Sequence, residues 1–238
     1  MMVEMRAAIE ECVADPQVAA AVITGAGRAF CSGADVGDVF KKQAEERDAG
    51  QSTTAASDSG SSDWISFLRT LPKPTIAAVN GPAVGIGVTQ ILPMDIRIAS
   101  ENAKFGFLFV KMGLVPELGS SQILPGMVGM ARALEWCMTA RLVPAAEAKE
   151  AGLVADVVPH DRLLDRALEM AAGLARNPGS ALAATRKLLM SNVHNDDMPA
   201  VQRSEGIALA ELYQSWQHKE AINAFLEKRD PDFSQPRA

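Results

Sequence analysis

The sequence has few cysteines, no excess of positive charge and no long apolar run, and each shortage excludes a class of protein. Its three cysteines, Cys12, Cys31 and Cys137, form no CxxC pair and cannot all pair with one another, which predicts a reducing, cytoplasmic environment. The net charge of -6 argues against a nucleic-acid partner, because phosphate binding needs accumulated Lys and Arg on one face. No apolar run reaches the ~18 residues that cross a bilayer, and the N-terminus lacks a secretory pattern, so we expect no membrane partner.

The patterns that are present predict an α/β fold. Strand-like apolar runs, glycine loops and helical patterns recur along the chain, and this alternation is typical of parallel strands joined by helices. Strands are predicted over Ala19–Thr24, Ile76–Val79 and Ile96–Ala99, and helices before Asp15-Pro16, over Trp64–Leu71, over Val88–Leu92 and from Ala131 onward. Gly152 is a candidate C-cap before the short run Leu153–Val158. Residues from about Lys41 to Asp63 are polar and small, so they are predicted to form a mobile loop beside a site.

Two strand-to-loop junctions, Gly33-Ala34 and Gly85-Ile86, are candidates for binding an oxygen atom. Small residues let a ligand approach the backbone closely, and two exposed N–H groups aimed at one point would form an oxyanion hole. The alternative is that these glycines only permit tight turns.

Both loops carry a resemblance to a known family. ITGAGRAFCSGADV, at residues 23–36, and AAVNGPAVGIGVT, at residues 77–89, resemble the paired signatures of the crotonase, or enoyl-CoA hydratase/isomerase, superfamily. Residues 105–159 and the ending AINAFLEKRDPDF, at residues 221–233, resemble the same family.

The resemblance implies a crotonase-like α/β fold with a repeated β-β-α core. It implies a core over residues 1–176 and a C-terminal helical trimerisation region over residues 177–238, hence a homotrimer or a dimer of trimers. Members of the family usually begin with an additional strand and an arginine-asparagine loop. This chain starts at the following helix, so the N-terminal strand is expected to be missing.

The resemblance also implies a set of binding residues for an acyl-CoA substrate, with no separate cofactor and no metal. The oxyanion donors would be the backbone N–H groups of Ala34 and Ile86. Coenzyme A would be bound by Ser32, Ala34, Asp35, Val36, Phe225 and Lys228. A core aromatic and a solvated cation remain the alternatives for the last two.

The acidic residues bear on the reaction. Hydratases of this family use two glutamates, and the matching positions here are Thr89 and Phe109, neither of which can titrate. Glu117, in VPELG, is the carboxylate in this part of the pattern, and an acid there resembles the peroxisomal-type Δ3,Δ2-enoyl-CoA isomerases. The alternative role for Glu117 is a carboxylate that interacts with a helix dipole.

The sequence therefore favours a Δ3,Δ2-enoyl-CoA isomerase with Glu117 as its catalytic base. An enoyl-CoA hydratase (a lyase) of fatty-acid β-oxidation and a non-catalytic acyl-CoA-binding homologue stay open. Gly25-Ala26-Gly27 imitates a dinucleotide-binding fingerprint, but Phe30 stands at the third glycine position, which argues against an oxidoreductase.

Overall fold

The computed structural model describes residues 1–33 and 63–233 of the chain. The loop predicted over residues 41–63 lies outside the described residues except for Asp63. The strands are β1 (Ala21–Thr24), β2 (Thr75–Val79), β3 (Ala83–Val84), β4 (Ile96–Ser100), β5 (Lys104–Gly106), β6 (Leu142–Pro144) and β7 (Asp156–Val158).

The main sheet is parallel, as the sequence predicts. Among the described residues its order is β1-β2-β4-β7, with Val22 opposite Ile76 and Ile76 opposite Ile96. Every residue of β2 is buried, because both faces of this sheet are covered. The continuous apolar run in β2 is typical of such a strand.

A second, smaller sheet lies beside the main one and was not predicted. It has the order β3-β5-β6, in which β3 and β5 run parallel and β6 is antiparallel. Strands of two or three residues are too short for an alternating pattern to be seen in the sequence.

Helices cover both faces of the main sheet and form the C-terminal part of the described chain. They are α1 (Met2–Ala14), α2 (Trp64–Thr70), α3 (Ile86–Thr89), α4 (Ser120–Val128), α5 (Met130–Thr139), α6 (Ala145–Glu150), α7 (Leu163–Ala175), α8 (Gly179–Asn192), α9 (Met198–Tyr213) and α10 (Trp216–Glu227). Short 3-10 helices span Leu108–Met112 and His160–Arg162. None of the described helices is long and apolar enough to cross a membrane.

Two apolar clusters form the core, one on each face of the main sheet. Ile76 and Ala78 point to the face where Leu163 and Ala167 of α7 pack. Ala77 and Val79, which alternate with them, point to the larger cluster. This alternation follows from the two-residue period of a strand.

The helix predicted over Val88–Leu92 has wrong bounds, since α3 spans Ile86–Thr89. Every residue from Gly87 to Met94 is buried, so the apolar run has no polar side that could indicate its period. The helix predicted from Ala131 is present as α5, in which the apolar side chains of Leu134 and Met138 are exposed.

The C-terminal helices are joined to the core through Arg186 of α8. The Arg186 guanidinium is buried and forms an ion pair with Asp95, with a distance of 2.6 Å between Nε and the carboxylate. It also donates to the backbone carbonyls of Leu68, Arg69 and Leu71 at the end of α2.

Candidate active site

Three chain segments leave the same edge of the smaller sheet. Cys31 forms a parallel bridge with Ala83 of β3, and β3 runs parallel to β5. Parallel strands place their carboxyl ends at one edge, where ligands of open α/β sheets usually bind. The residues that leave this edge are Ser32-Gly33, Gly85-Ile86 and the segment after Gly106 that leads to Glu117.

Hydrogen bonds join the first loop to the second. The backbone N–H groups of Phe30 and Cys31 both donate to the Pro82 carbonyl, at 3.0 and 3.1 Å. The Val84 N–H donates in return to the Cys31 carbonyl at 2.9 Å. The two loops, which are some fifty residues apart in sequence, therefore have fixed relative positions.

Glycine is required where these loops touch. A Cβ on Gly87 would lie 2.4 Å from the Cys31 carbonyl oxygen, a distance that real Cβ atoms do not show. A Cβ on Gly85 would lie 3.9 Å from the Cα atom of Gly33, and both glycines have positive φ, at 58° and 97°. Close contact of the two backbones thus depends on small residues in both loops.

Asn80, at the end of β2, holds the first loop in place. Its buried side chain accepts a hydrogen bond from Gly25 N–H at 3.1 Å and donates to the Gly27 carbonyl at 2.9 Å. Its own carbonyl accepts from the buried Ser100 hydroxyl at 3.0 Å and lies 3.1 Å from Nδ1 of His160. The sequence argument missed this residue, because Asn before Gly-Pro is also a common turn pattern.

The Ile86 N–H group is available at the loop edge. Ile86 is the first residue of α3, and its N–H makes no hydrogen bond to another described residue. The neighbouring N–H groups are used within the protein, since Gly85 donates to the Gly106 carbonyl and Val88 donates to the Gly85 carbonyl. Among the described residues this N–H group thus has no acceptor, so it is free to donate to a ligand oxygen at the loop edge.

The first-loop residues can be placed only in part. Ser32 is exposed and Gly33 is half-buried at the contact with the second loop. Ala34, Asp35 and Val36 lie outside the described residues. The second predicted donor, Ala34, directly follows Gly33 in the sequence.

Glu117 lies in a tight turn just before α4. Its carboxyl makes no hydrogen bond or ion pair with another described residue, while its backbone carbonyl accepts from the Ser120 hydroxyl at 2.6 Å. Glu117 is an exposed residue, yet desolvation by the protein atoms around its carboxyl raises the pKa of Glu117 above its usual value. No side chain caps the N-terminus of α4, where Gly119 is the N-cap residue.

The two positions that match the hydratase glutamates carry no acid. Thr89 is completely buried, and its hydroxyl lies 3.4 Å from the Gly85 carbonyl within the same short helix. Phe109 is half-buried in the 3-10 helix Leu108–Met112. From Val84 to Ser120 the sequence has three acids, of which Asp95 is paired with Arg186 and Glu101 is exposed beyond β4.

Phe225 and Lys228 lie on the C-terminal helix α10 and at its end. The Phe225 side chain is 82% exposed, so the alternative of a core aromatic is wrong for this chain. Lys228 is also exposed, in the left-handed C-cap position of α10. No hydrogen bond or ring contact joins either side chain to the described parts of the two loops.

The described residues contain no cluster of His, Cys, Asp or Glu that could hold a metal ion. His160 and His194 are exposed, and His218 makes an edge-to-face ring contact with Tyr213. The described part of the candidate site thus offers one backbone donor, the Ile86 N–H group, and one carboxyl, that of Glu117.

Comparison with known proteins identifies the family. The sequence model described as enoyl-CoA hydratase/isomerase matches residues 1–236. The chain belongs to the enoyl-CoA hydratase/isomerase family. This confirms the family that the two glycine-loop motifs predict.

Individual members of the enoyl-CoA hydratase/isomerase family show how far the similarity extends. Enoyl-CoA hydratase ACTT3 of Alternaria alternata is 38% identical over 98% of this chain and 75% of its own length. The 1,2-epoxyphenylacetyl-CoA isomerase of Escherichia coli is 34% identical over 97% of this chain and 88% of its own. The crystal structure of an enoyl-CoA hydratase from Polaromonas sp. JS666 has a TM-score of 0.86 and 30% identity, covering 95% of this chain and 86% of that one. The crotonase-type α/β fold is therefore confirmed.

Proposed function

We propose that this chain processes acyl-CoA thioesters and acts as a Δ3,Δ2-enoyl-CoA isomerase. The Glu117 carboxylate removes a proton from C2 of a 3-enoyl thioester, and the electron pair moves onto the thioester oxygen as a dienolate. The N–H groups of Ala34 and Ile86 stabilise that oxygen. The same carboxyl then returns the proton to C4, which shifts the double bond.

The observation that carries this proposal is which residues are acidic between the second glycine loop and α4. Thr89 and Phe109 occupy the two positions of the hydratase glutamates, and neither can activate a water molecule. Glu117 is a carboxyl without a partner among the described residues, on a segment that leaves the same sheet edge as Ile86. One carboxyl is enough for a proton shift, because the proton returns to the same substrate.

The electrostatics of the site support this chemistry. Partial burial raises the pKa of Glu117, which brings its proton affinity closer to working pH and strengthens it as a base. Each well-aimed backbone donor stabilises an oxyanion transition state by roughly 3 to 4 kcal/mol. Such help is needed because the α-proton of a thioester is weakly acidic.

Hydration is the second candidate, and the names of relatives favour it. Several similar proteins are called enoyl-CoA hydratases, including the Alternaria protein, whereas the Escherichia coli relative is called an isomerase. A hydratase would need an acid other than residues 89 and 109. A non-catalytic acyl-CoA-binding protein is the third candidate.

A parallel assay separates the three candidates. The purified protein is given 3-enoyl-CoA and 2-enoyl-CoA, with the double-bond shift followed for the first and water addition for the second. A shift without hydration supports the isomerase, and hydration alone contradicts the assigned role of Glu117. If neither reaction occurs but acyl-CoA raises the melting temperature, the binding protein is supported.

Coenzyme A binding is proposed for the first loop and the C-terminal helix. Ser32, Ala34, Asp35 and Val36 would contact its adenine and pantetheine. Phe225 and Lys228 would contact the nucleotide end, and the exposure of both side chains leaves them accessible to a ligand.

We also propose a homotrimer or a dimer of trimers. The 16-residue helix α9 has no buried residue, which is unusual for a helix of a globular protein. Large apolar side chains that are exposed on the C-terminal helices include Ile207, Leu209, Tyr213, Ile222 and Leu226. Light scattering should give three or six times the 25.3 kDa chain mass, and a clean monomer would contradict this proposal.

A further inference from the structure

Leu118, the residue after Glu117, has a backbone conformation that L-residues rarely adopt. Among the described residues, three that are not glycine have positive φ, namely Leu118 at 52°, Ala140 at 47° and Lys228 at 53°. Ala140 and Lys228 are the C-cap residues of α5 and α10, where a left-handed residue commonly ends a helix. Leu118 ends no helix, since Gly113 already terminates the preceding 3-10 helix. Its conformation needs another explanation.

The conformation belongs to a tight turn that begins at Glu117. The Ser120 N–H donates to the Glu117 carbonyl at 3.0 Å, and the two central residues, Leu118 and Gly119, have φ values of 52° and 64°. A turn with two successive positive φ angles is usually made by Asn-Gly, because Asn tolerates the left-handed region better than other side chains. This chain has Leu at the position where Asn would be least strained.

Packing explains why leucine is present. The Leu118 side chain packs against the larger apolar core cluster, a contact that the polar side chain of Asn could not replace. The next residue is also fixed, because a Cβ on Gly119 would lie 2.7 Å from Cδ1 of Ile65 in α2. The turn is thus held by the core on one side and by α2 on the other.

We propose that Leu118 is a positioning residue, whose core-anchored side chain and left-handed backbone together hold the Glu117 carboxyl at the loop edge. Backbone strain of this kind persists only where the surrounding structure imposes it, and it is concentrated at functional sites. The inference rests on the proposed function, in which Glu117 is the base. It adds that an adjacent side chain, with no contact to substrate, determines how well that base works.

The environment of Glu117 can be measured without any enzymatic activity. Burial raises the pKa of this carboxyl, so its ionised form is disfavoured in the folded protein. Because ionising this carboxyl then costs folding free energy, Glu117→Gln should stabilise the fold more at about pH 8 than at about pH 4. If the carboxyl moves into solvent, this pH-dependent difference disappears.

Three substitutions of Leu118 test the anchored turn, since one keeps the apolar anchor and two remove it while relieving the backbone strain. Leu118→Met keeps an apolar anchor of similar size, Leu118→Asn suits the left-handed backbone but removes the anchor, and Leu118→Gly removes both the strain and the anchor. Each is made with Glu117 and with Glu117→Gln. Ala140→Gly is the matched control, because it relieves the same kind of strain at a helix end.

For the Asn and Gly variants we expect kcat on 3-enoyl-CoA to fall roughly 10- to 100-fold with little change in KM. Their melting temperatures should stay within a few degrees of the wild-type value, and Glu117→Gln should no longer have a pH-dependent effect on them. Leu118→Met should recover most of kcat, and Ala140→Gly should leave kcat unchanged.

Two results would overturn the proposal. One is a wild-type kcat in the Asn and Gly variants. The other is a kcat that falls only in step with the melting temperature, while the pH-dependent effect of Glu117→Gln persists. A third result would separate the two proposals. If wild-type protein does not isomerise 3-enoyl-CoA, but Glu117→Gln loses its pH-dependent effect on stability in the Asn and Gly variants, then the positioning role of Leu118 stands and the proposed isomerase reaction fails.

Discussion

Glu117 differs from the other carboxyls between the second loop and α4 in its surroundings. Asp95 is paired with Arg186 and also accepts hydrogen bonds from Thr75, so its charge is neutralised and held in place. Glu101, after β4, is exposed, as Glu117 is. Glu117 has neither a cation nor a donor among the described residues, and its pKa is raised by burial. This environment suits a base better than a structural carboxylate.

The raised pKa of Glu117 leads to opposite pH dependences for activity and stability. The base must be ionised, so kcat/KM should fall as pH falls through the pKa of Glu117, and this limb should lie above the usual ~4.3 of a glutamate. Because the folded-state pKa is raised, the protonated carboxyl favours the fold. That contribution is complete below the unfolded-state pKa and is lost as pH rises through the folded-state pKa.

Rate profiles and thermal melts between about pH 4 and pH 8 would test the predicted pH dependences of activity and of stability. This range extends several units above the pKa of ~4.3 of a free glutamate. Glu101→Gln is the control and should leave both profiles unchanged. An acid limb at or below the usual glutamate value would count against the assigned environment of Glu117.

At the scale of elements, the candidate site depends on the close contact of two glycine loops. The backbone bonds from Phe30 and Cys31 to Pro82, and from Val84 to Cys31, make the first loop an extension of the small sheet. Since β3 is only two residues long, these bonds determine where the Ile86 N–H points relative to Gly33. Any side chain that separates the loops should therefore reduce activity.

Gly87→Ala tests this dependence. The new Cβ would lie 2.4 Å from a backbone oxygen of Cys31, so the loops must separate. We expect a loss of about 1 to 3 kcal/mol of stability, typical of overpacking, and a larger loss of turnover than of folded protein. The measurements are chemical denaturation and isomerase turnover.

Gly126→Ala is the matched control for the loop substitution. Among the described residues, no atom outside its chain neighbours and its own helix backbone lies within 4 Å of its would-be Cβ, and the residue is within α4. Alanine there should add roughly 0.5 to 1 kcal/mol of helix stability and leave turnover unchanged. Full turnover in Gly87→Ala would show that loop separation does not matter.

The elements show what could be predicted from the sequence. The strands β1, β2 and β4 and the helix ends at Asp15-Pro16 and near Trp64 follow from apolar runs, glycine and proline. The bounds of α3 could not be predicted, because a fully buried run has no polar side. The contact between Gly33 and Gly85 is tertiary, and only the family resemblance implied it.

At the scale of the whole molecule, Arg186 connects the C-terminal helices to the core. The division of the chain into a core and a C-terminal region that begins at residue 177 stays a prediction from the sequence. The described contacts join the two parts closely, because Arg186 bonds Asp95 before β4 and three carbonyls at the end of α2. Helix α2 also carries Ile65, which contacts the turn after Glu117. Loss of this ion pair should thus affect both stability and the site.

Arg186→Met should destabilise the protein by about 3 to 5 kcal/mol, because it leaves the Asp95 carboxylate without its cation in a largely buried position. Arg203→Met is the control, since Arg203 and Asp197 are exposed and 3.9 Å apart. An exposed pair of this kind contributes roughly 0 to 1 kcal/mol. Urea denaturation of both variants gives the comparison, and equal losses would contradict the connecting role of Arg186.

The most direct test of the proposed reaction is the turnover of 3-enoyl-CoA by Glu117→Gln beside Glu101→Gln. Glutamine preserves the shape of the side chain but cannot remove a proton, so turnover should fall by about 100- to 10,000-fold. Acyl-CoA should still raise the melting temperature of this variant, because the backbone donors remain. Glu101→Gln should turn over like the wild type. Unchanged turnover in Glu117→Gln would contradict the account.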